Sequence, residues 1–326
     1  MKTIGTAQVI PGEKTMGSIQ AGTDIDGTPF HIPVLIASGE KEGPTFWVHG
    51  CIHGGEYGGA ASIINYFHEL EISELSGTFV GVPVTNLPAF KARHRNSPLD
   101  GENLNRIFPG NPNGTYSHRL AHILLEVMKD SADVVIDLHS GGLDANVPFY
   151  MIVKDDQSDT AKESMRIAKR MGSEVIWRAK GEAGTGGTVS ASLVQEKIPT
   201  VTVECGGGTL SDEDERDFKK AIKYAMQACN MLPGEPPVQE EYTIIGNATF
   251  FVTKEGGLFI PACKVGDYLN KGDKIGSIMN LYGQIVEELI CPEDNSYIAA
   301  VGNKYWPTEP GQLMAESIPV ESREKL

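Results

Sequence analysis

Positive charge is scarce in this chain: 28 lysines and arginines stand against 43 aspartates and glutamates, and the formal net charge is -15. A surface of that sign repels phosphate backbones and anionic lipid, so nucleic acid and membrane surfaces are excluded as main partners. A small anionic substrate is not excluded, because a few arginines in a cleft can invert the local potential. No apolar run is long enough to span a bilayer. The opening residues, MKTIGTAQVIPGEK, hold no uninterrupted apolar segment of the kind a secretory signal needs. We therefore expect a cytoplasmic protein. The five cysteines, Cys51, Cys205, Cys229, Cys263 and Cys291, are odd in number and form no C-x-x-C pair. Free thiols in a reducing compartment fit that pattern. Phosphate-cradling glycine motifs are also missing. Gly181 to Gly187 is glycine-rich, but no Gly-Lys-Ser/Thr follows it and it does not read G-x-G-x-x-G after a strand, so we expect a mobile rim.

What is present divides the chain in two. Its 326 residues have room for one large domain and a smaller one. The clearest boundary is Leu232-Pro233-Gly234-Glu235-Pro236-Pro237, where dense prolines stop a helix and form an extended linker. We expect a first domain over residues 1–235 and a second over 241–326. The second reads as all-β, with short strands at Thr249 to Val252, Gly257 to Ile260 and Lys274 to Ile278.

The first domain is organised around Trp47-Val48-His49-Gly50-Cys51-Ile52-His53-Gly54-Gly55-Glu56-Tyr57-Gly58. Thr45 to His49 is apolar enough for a buried strand. Gly50, Gly54 and Gly55 allow a sharp turn. Ile63, Ile64, Phe67 and Leu70 then recur at helical spacing. His53 and Glu56 fall at the C-terminal end of the strand, where open α/β sheets bind ligands. An imidazole and a carboxylate that close make half a zinc site, although an H-x-x-E spacing also arises by chance.

Further along, Lys91 to Gly110 is polar, punctuated by proline and glycine, and rich in arginine. Loops of that length in compact domains are usually functional, and arginine suits two-point binding of a carboxylate. Asp133 to Gly142 reads as a buried strand ending in a turn, with Asp137 and His139 on one side of it. His139 is placed to be a third metal ligand. Glu204 closes the apolar run Ile198 to Val203, where a charge is expensive unless it is used. It has the position of a general base. Cys51 and Cys205 adjoin these motifs; small packing residues are the simpler reading of both, a nucleophile the alternative. Ser211 begins a long helix as its N-cap, and the acidic run Asp212 to Glu215 suits the positive end of the helix dipole.

In this order, His53-x-x-Glu56, Leu104-Asn105-Arg106-x-Phe108-Pro109-Gly110, Asp137-Leu138-His139-Ser140 and Glu204 resemble the succinylglutamate desuccinylase/aspartoacylase family. The resemblance implies an α/β fold: a zinc carboxypeptidase-like three-layer αβα domain with a mixed sheet, followed by a small all-β, barrel-sandwich-like domain. It implies one zinc ion per chain on His53, Glu56 and His139, with Glu204 as general acid/base. It implies that Asn105 and Arg106 clamp a substrate carboxylate, with Ser140 beside them. An upstream arginine should polarise the scissile carbonyl. Arg93 and Arg95 both qualify; we favour Arg95 and keep Arg93 as a substrate-binding candidate. No Met-Lys-Met attachment signature occurs in the β-domain, which argues against a swinging-arm carrier.

The resulting expectation is a zinc-dependent amidohydrolase that removes an acetyl- or succinyl-type group from a small anionic N-acyl amino acid. A homo-oligomer is left open. Two alternatives stand beside it: a zinc carboxypeptidase acting on short peptides, and a non-catalytic zinc- or ligand-binding protein, which would have no use for Glu204.

Overall fold

Alternation of apolar side chains along Pro29–Ser38 and continuous apolar runs in Lys41–Gly50, Val134–His139 and Thr200–Gly206 build the middle of a large mixed sheet. The computed structural model describes residues 2–181, 186–207 and 210–325. From one edge, the sheet runs Tyr268–Leu269, Ser296–Gly302, Leu313–Lys325, Glu241–Ile245, Val175–Lys180, Ala145–Asp155, Thr200–Gly206, Val134–His139, Lys41–Gly50, Ser76–Val82, Pro29–Ser38 and Lys14–Thr23. Thr249–Val252 pairs off this path with Leu313–Lys325. Lys41–Gly50, Val134–His139 and Thr200–Gly206 are parallel neighbours, so their C-terminal ends emerge side by side.

Helices cover both faces. Phe67, Phe79, Ile136 and Val203 pack with Phe218 and Ile222 in one buried cluster, which places helices Tyr57–Glu69 and Asp212–Ala228 on that face. Trp47, Val80 and Val135 pack with Leu120, Leu124 and Leu193 in the other, under helices Tyr116–Ser131 and Val189–Gln195. The helix Tyr57–Glu69 buries Ala60, Ile63, Tyr66 and Phe67, a stripe that leaves Ile64 turned to water at 40% exposure, against the expectation that it belongs to the apolar face. Ser211 caps Asp212–Ala228 as expected, in a reciprocal box with Asp214.

Every described element after Asp212–Ala228 is a strand. Four of them, Gly257–Pro261, Lys274–Met279, Ile285–Ile290 and Pro307–Thr308, make a small antiparallel sheet around Phe259, Ile275 and Ile278. The others join the large sheet. Glu241–Ile245 lies parallel to Val175–Lys180, and Ser296–Gly302 pairs with the start of Ala145–Asp155. The chain beyond the proline-rich stretch is therefore hydrogen-bonded into the sheet that carries the strand ends. Four residues of the expected glycine rim, 182–185, lie outside the described residues.

A candidate metal centre in a two-ended cavity

The turn after Lys41–Gly50 is held by close backbone contacts. Cys51 adopts the left-handed conformation, φ 52°, and its thiol donates to the Glu56 carbonyl at 3.2 Å. A Cβ on Gly54 would sit 2.0 Å from the Ala89 backbone, so only glycine allows the turn to lie flat on helix Leu87–Ala92. These constraints bring His53 and Glu56 together, Nδ1 to Oε1, at 2.7 Å. His139, at the end of the adjacent parallel strand, completes the group, with Nδ1 2.8 Å from Glu56 Oε2. All three residues are buried, and their donor atoms lie within 4.8 Å of one another.

Each histidine is held from behind. His139 Nε2 is 2.9 Å from Asp137 Oδ2. His53 Nε2 is 3.1 Å from Asn103 Oδ1, and that same oxygen accepts the Asn105 backbone N–H at 2.9 Å. The shared atom must be an acceptor, so His53 carries its proton on Nε2 when neutral. Its Nδ1 lone pair then points at the Glu56 carboxylate. Two acceptors 2.7 Å apart repel unless a cation lies between them, and the donor set fits a metal ion.

The electrostatics agree. Burial, the Arg95 charge and the neighbouring His139 push His53 down to about 4, so it stays neutral and able to ligate. Burial alone would raise Glu56 and Asp137; the imidazoles beside them outweigh it and hold both carboxyls well below the usual range. Burial disfavours a charge on His139, but Asp137 and Glu56 more than offset it and raise its pKa well above the usual imidazole value. His49, also buried, places Nε2 3.0 Å from Asp137 Oδ1, too misaligned for a hydrogen bond.

The three residues open into a cavity of about 740 Å³. Glu204 is the parallel-sheet neighbour of His139 and the antiparallel partner of Tyr150, and it lines the cavity with both. Burial, with the Glu56 and Glu316 carboxylates nearby, pushes Glu204 up to about 8. Ser140 lines the cavity too, its Oγ accepting from Gly142 N at 3.3 Å. Asn105 and Arg106 reach it from the polar loop. Asn105 Oδ1 accepts the Val189 N–H at 2.9 Å, and Arg106 Nη1 donates to the Asn105 carbonyl at 2.7 Å. Gly187 presses on the Arg106 backbone, where a Cβ would come within 2.1 Å of the carbonyl oxygen.

The two upstream arginines part company. Arg95 lines the cavity with Nη1 3.4 Å from Glu56 Oε1. Arg93 is the left-handed C-cap of Leu87–Ala92 and faces a separate shallow hollow with Tyr57, Phe90, Lys91 and Leu143. The substrate-binding place expected for Arg93 is corrected accordingly: ending the short helix turns its side chain away. The cysteine nucleophile is also set aside, since burial pushes the Cys51 thiol up to about 12 and raises Cys205 as well.

Comparison with known proteins decides the family. The model of the succinylglutamate desuccinylase/aspartoacylase catalytic domain matches residues 42–229. The chain belongs to the succinylglutamate desuccinylase/aspartoacylase family. It is a hydrolase of the N-acyl amino acid deacylase type, with a buried His-Glu-His cluster able to hold a metal ion. Within the family it is 31% identical to the N-alpha-acetyl-L-2,4-diaminobutyric acid deacetylase of Halomonas elongata, over 77% of this chain and 74% of that one. Its fold is similar to that of the product-bound ectoine utilization protein EutE (DoeB) from Ruegeria pomeroyi, with a TM-score of 0.86 at 22% identity over 98% of this chain and 100% of that one. A succinylglutamate desuccinylase from Silicibacter sp. superposes with a TM-score of 0.84 at 20% identity, over 98% and 100% of the two chains.

Asn103, which backs His53, and a group of cavity residues escape the motifs. Asn103 lies inside the polar loop, and its spacing to Asn105, a side chain bonding two residues on, is the one sequence signal that could single it out. Trp306, Glu309 to Glu316 and Phe250 reach the cavity from the C-terminal strands, with no motif to announce them.

Proposed function

We propose that the protein is a zinc-dependent deacylase that hydrolyses the amide bond of a small N-acylated amino acid. The observation that carries this reading is the buried His53, Glu56 and His139 cluster opening into a cavity that also holds Glu204 and Arg106. A zinc ion on those three residues would act as a Lewis acid on the amide carbonyl and acidify a water. Glu204, which lines the same cavity, would serve as the general acid/base, accepting a proton and passing it to the leaving nitrogen. A pKa near neutrality suits a group that must do both. Arg95 adds positive charge where the carbonyl oxygen becomes negative. Arg106 and Asn105 would orient the free carboxylate of the substrate, with Ser140 beside them, so that the amide lies over the metal ligands.

Residues 1–235 would then form the metal-bearing unit and 241–326 the unit that closes the cavity. The wall made by Trp306 and Glu309 to Glu316 supports a small substrate over a peptide. The Halomonas relative suggests an acetyl group and the desuccinylase neighbour a succinyl group. Amine release by the zinc-loaded protein from N-acetyl and N-succinyl amino acids, against peptides of increasing length, tests the reading. Cleavage of the acyl amino acids and none of longer peptides is expected; equal or faster cleavage of the peptides would establish a carboxypeptidase instead.

A further inference from the structure

The wall of the cavity formed by the C-terminal strands carries a carboxylate that hydrolysis does not use. Glu316 sits on Leu313–Lys325, opposite Phe250 of one neighbouring strand and Ala300 of the other. Side chains of directly paired residues share a face, and all three line the cavity. Phe250 tilts against Trp177, ring centroids 6.5 Å apart, and Trp177 lines the cavity beside them. Among the described residues, Glu316 makes no hydrogen bond and no ion pair. Arg95 and Arg106 attract it through space without reaching it. Burial raises its pKa above the ordinary carboxylate value in spite of them. An unpartnered carboxylate beside Phe250 is costly, and such a group calls for a partner that the described residues do not supply.

Arg106 and Glu316 thus put opposite charges into one cavity. A substrate that answers both carries a carboxylate and, some distance from it, a cation. We propose that Glu316 is the specificity-determining residue and that it selects N-acyl amino acids whose side chain ends in a protonated amino group. This rests on the deacylase reading above. The ammonium would sit on the Glu316 carboxylate, with the faces of Phe250 and Trp177 beside it, an arrangement that favours cations over neutral groups. A side-chain carboxylate would meet a like charge there and be turned away.

The test compares kcat/KM of the zinc-loaded enzyme for four substrates: Nα-acetyl-2,4-diaminobutyrate and Nα-acetylornithine, which carry the ammonium, neutral Nα-acetylnorvaline, and anionic N-acetylglutamate. The ammonium substrates should exceed the neutral one by about 10- to 150-fold, the range of a charged hydrogen bond. In Glu316→Gln, nearly isosteric, that ratio should fall to within about threefold of unity with zinc content unchanged. Glu316→Lys should shift preference toward N-acetylglutamate. Equal rates for neutral and ammonium substrates in the unaltered enzyme, or a ratio that survives Glu316→Gln, would overturn the assignment while leaving the deacylase reading intact. Failure to release an amine from any of the four and from their N-succinyl counterparts would overturn the deacylase reading itself. Should Glu316→Gln not fold, the ratio in the unaltered enzyme decides alone.

Discussion

The two ends of the cavity are built in opposite ways. At the metal end every donor is backed: Asp137 holds His139, Asn103 holds His53, and both imidazoles converge on Glu56. At the other end Glu316 stands between Phe250 and Ala300 without a partner among the described residues. The metal end is complete within the protein and needs only an ion. The far end leaves Glu316 open, and on the proposed reading a ligand completes it. Under that reading, reaction and selectivity fall to separate parts of one cavity, a division that variants should expose.

The sharpest break comes from the ligands. His139→Ala should purify with little zinc and no measurable activity, checked by metal analysis and amine release; full zinc occupancy would remove His139 from the ligand set. Next in size is Glu204→Gln, which should keep its zinc and lose about 10²- to 10⁴-fold in kcat, the range for a positioned general base. An unchanged kcat would refute the proton-transfer role. Asn103→Ala tests the backing of the site. Loss of the group that fixes the His53 tautomer should weaken zinc by about 10- to 100-fold, measured by competition with a chelator. Glu316 variants should leave zinc content and zinc affinity unchanged, and should change kcat only as far as Glu204 loses a like-charged neighbour.

The smallest effect is a pH slope. Because Asp137 and Glu56 raise His139 well above the usual imidazole value, the metal-free site holds a proton there at neutral pH. Zinc must displace it, so affinity rises with pH, by about tenfold per unit, until His139 titrates in the metal-free protein. Calorimetry in buffers of different ionisation enthalpy should find about one proton released per ion. A pH-independent affinity with no proton release would mean that His139 is already neutral.

The same contrast explains what could be read beforehand. The metal end was legible because its residues lie at strand ends and turns whose spacing is local: Glu56 follows His53 by three positions, and strand parity sets Asp137 beside His139. Glu204 was visible as a charge closing an apolar strand. The Ser211 cap and the strand Thr249–Val252 were likewise local patterns. The rest depended on contacts that no local rule carries. Arg93 and Arg95 are two residues apart in the same polar run, and only the left-handed cap at Arg93 sends one of them elsewhere. Glu316 meets Phe250 and Ala300 through sheet register across three strands, and its alternating neighbourhood looks like any half-exposed strand. The proline-rich stretch near 235 marks a change of composition, yet hydrogen bonds from Glu241–Ile245 to Val175–Lys180 continue the sheet past it.

That continuity bears on how the molecule comes apart. Ala145–Asp155 is bonded to Thr200–Gly206 on one side and Val175–Lys180 on the other, and its first residues are bonded to Ser296–Gly302. The strand that holds Tyr150 beside Glu204 is thus also an anchor of the C-terminal wall. Peeling the tail away strips partners from Ala145 and Asn146, close to the glycine turn that follows His139. On heating, selectivity and chemistry should be lost in a single melting transition, as one cooperative unit with no surviving half.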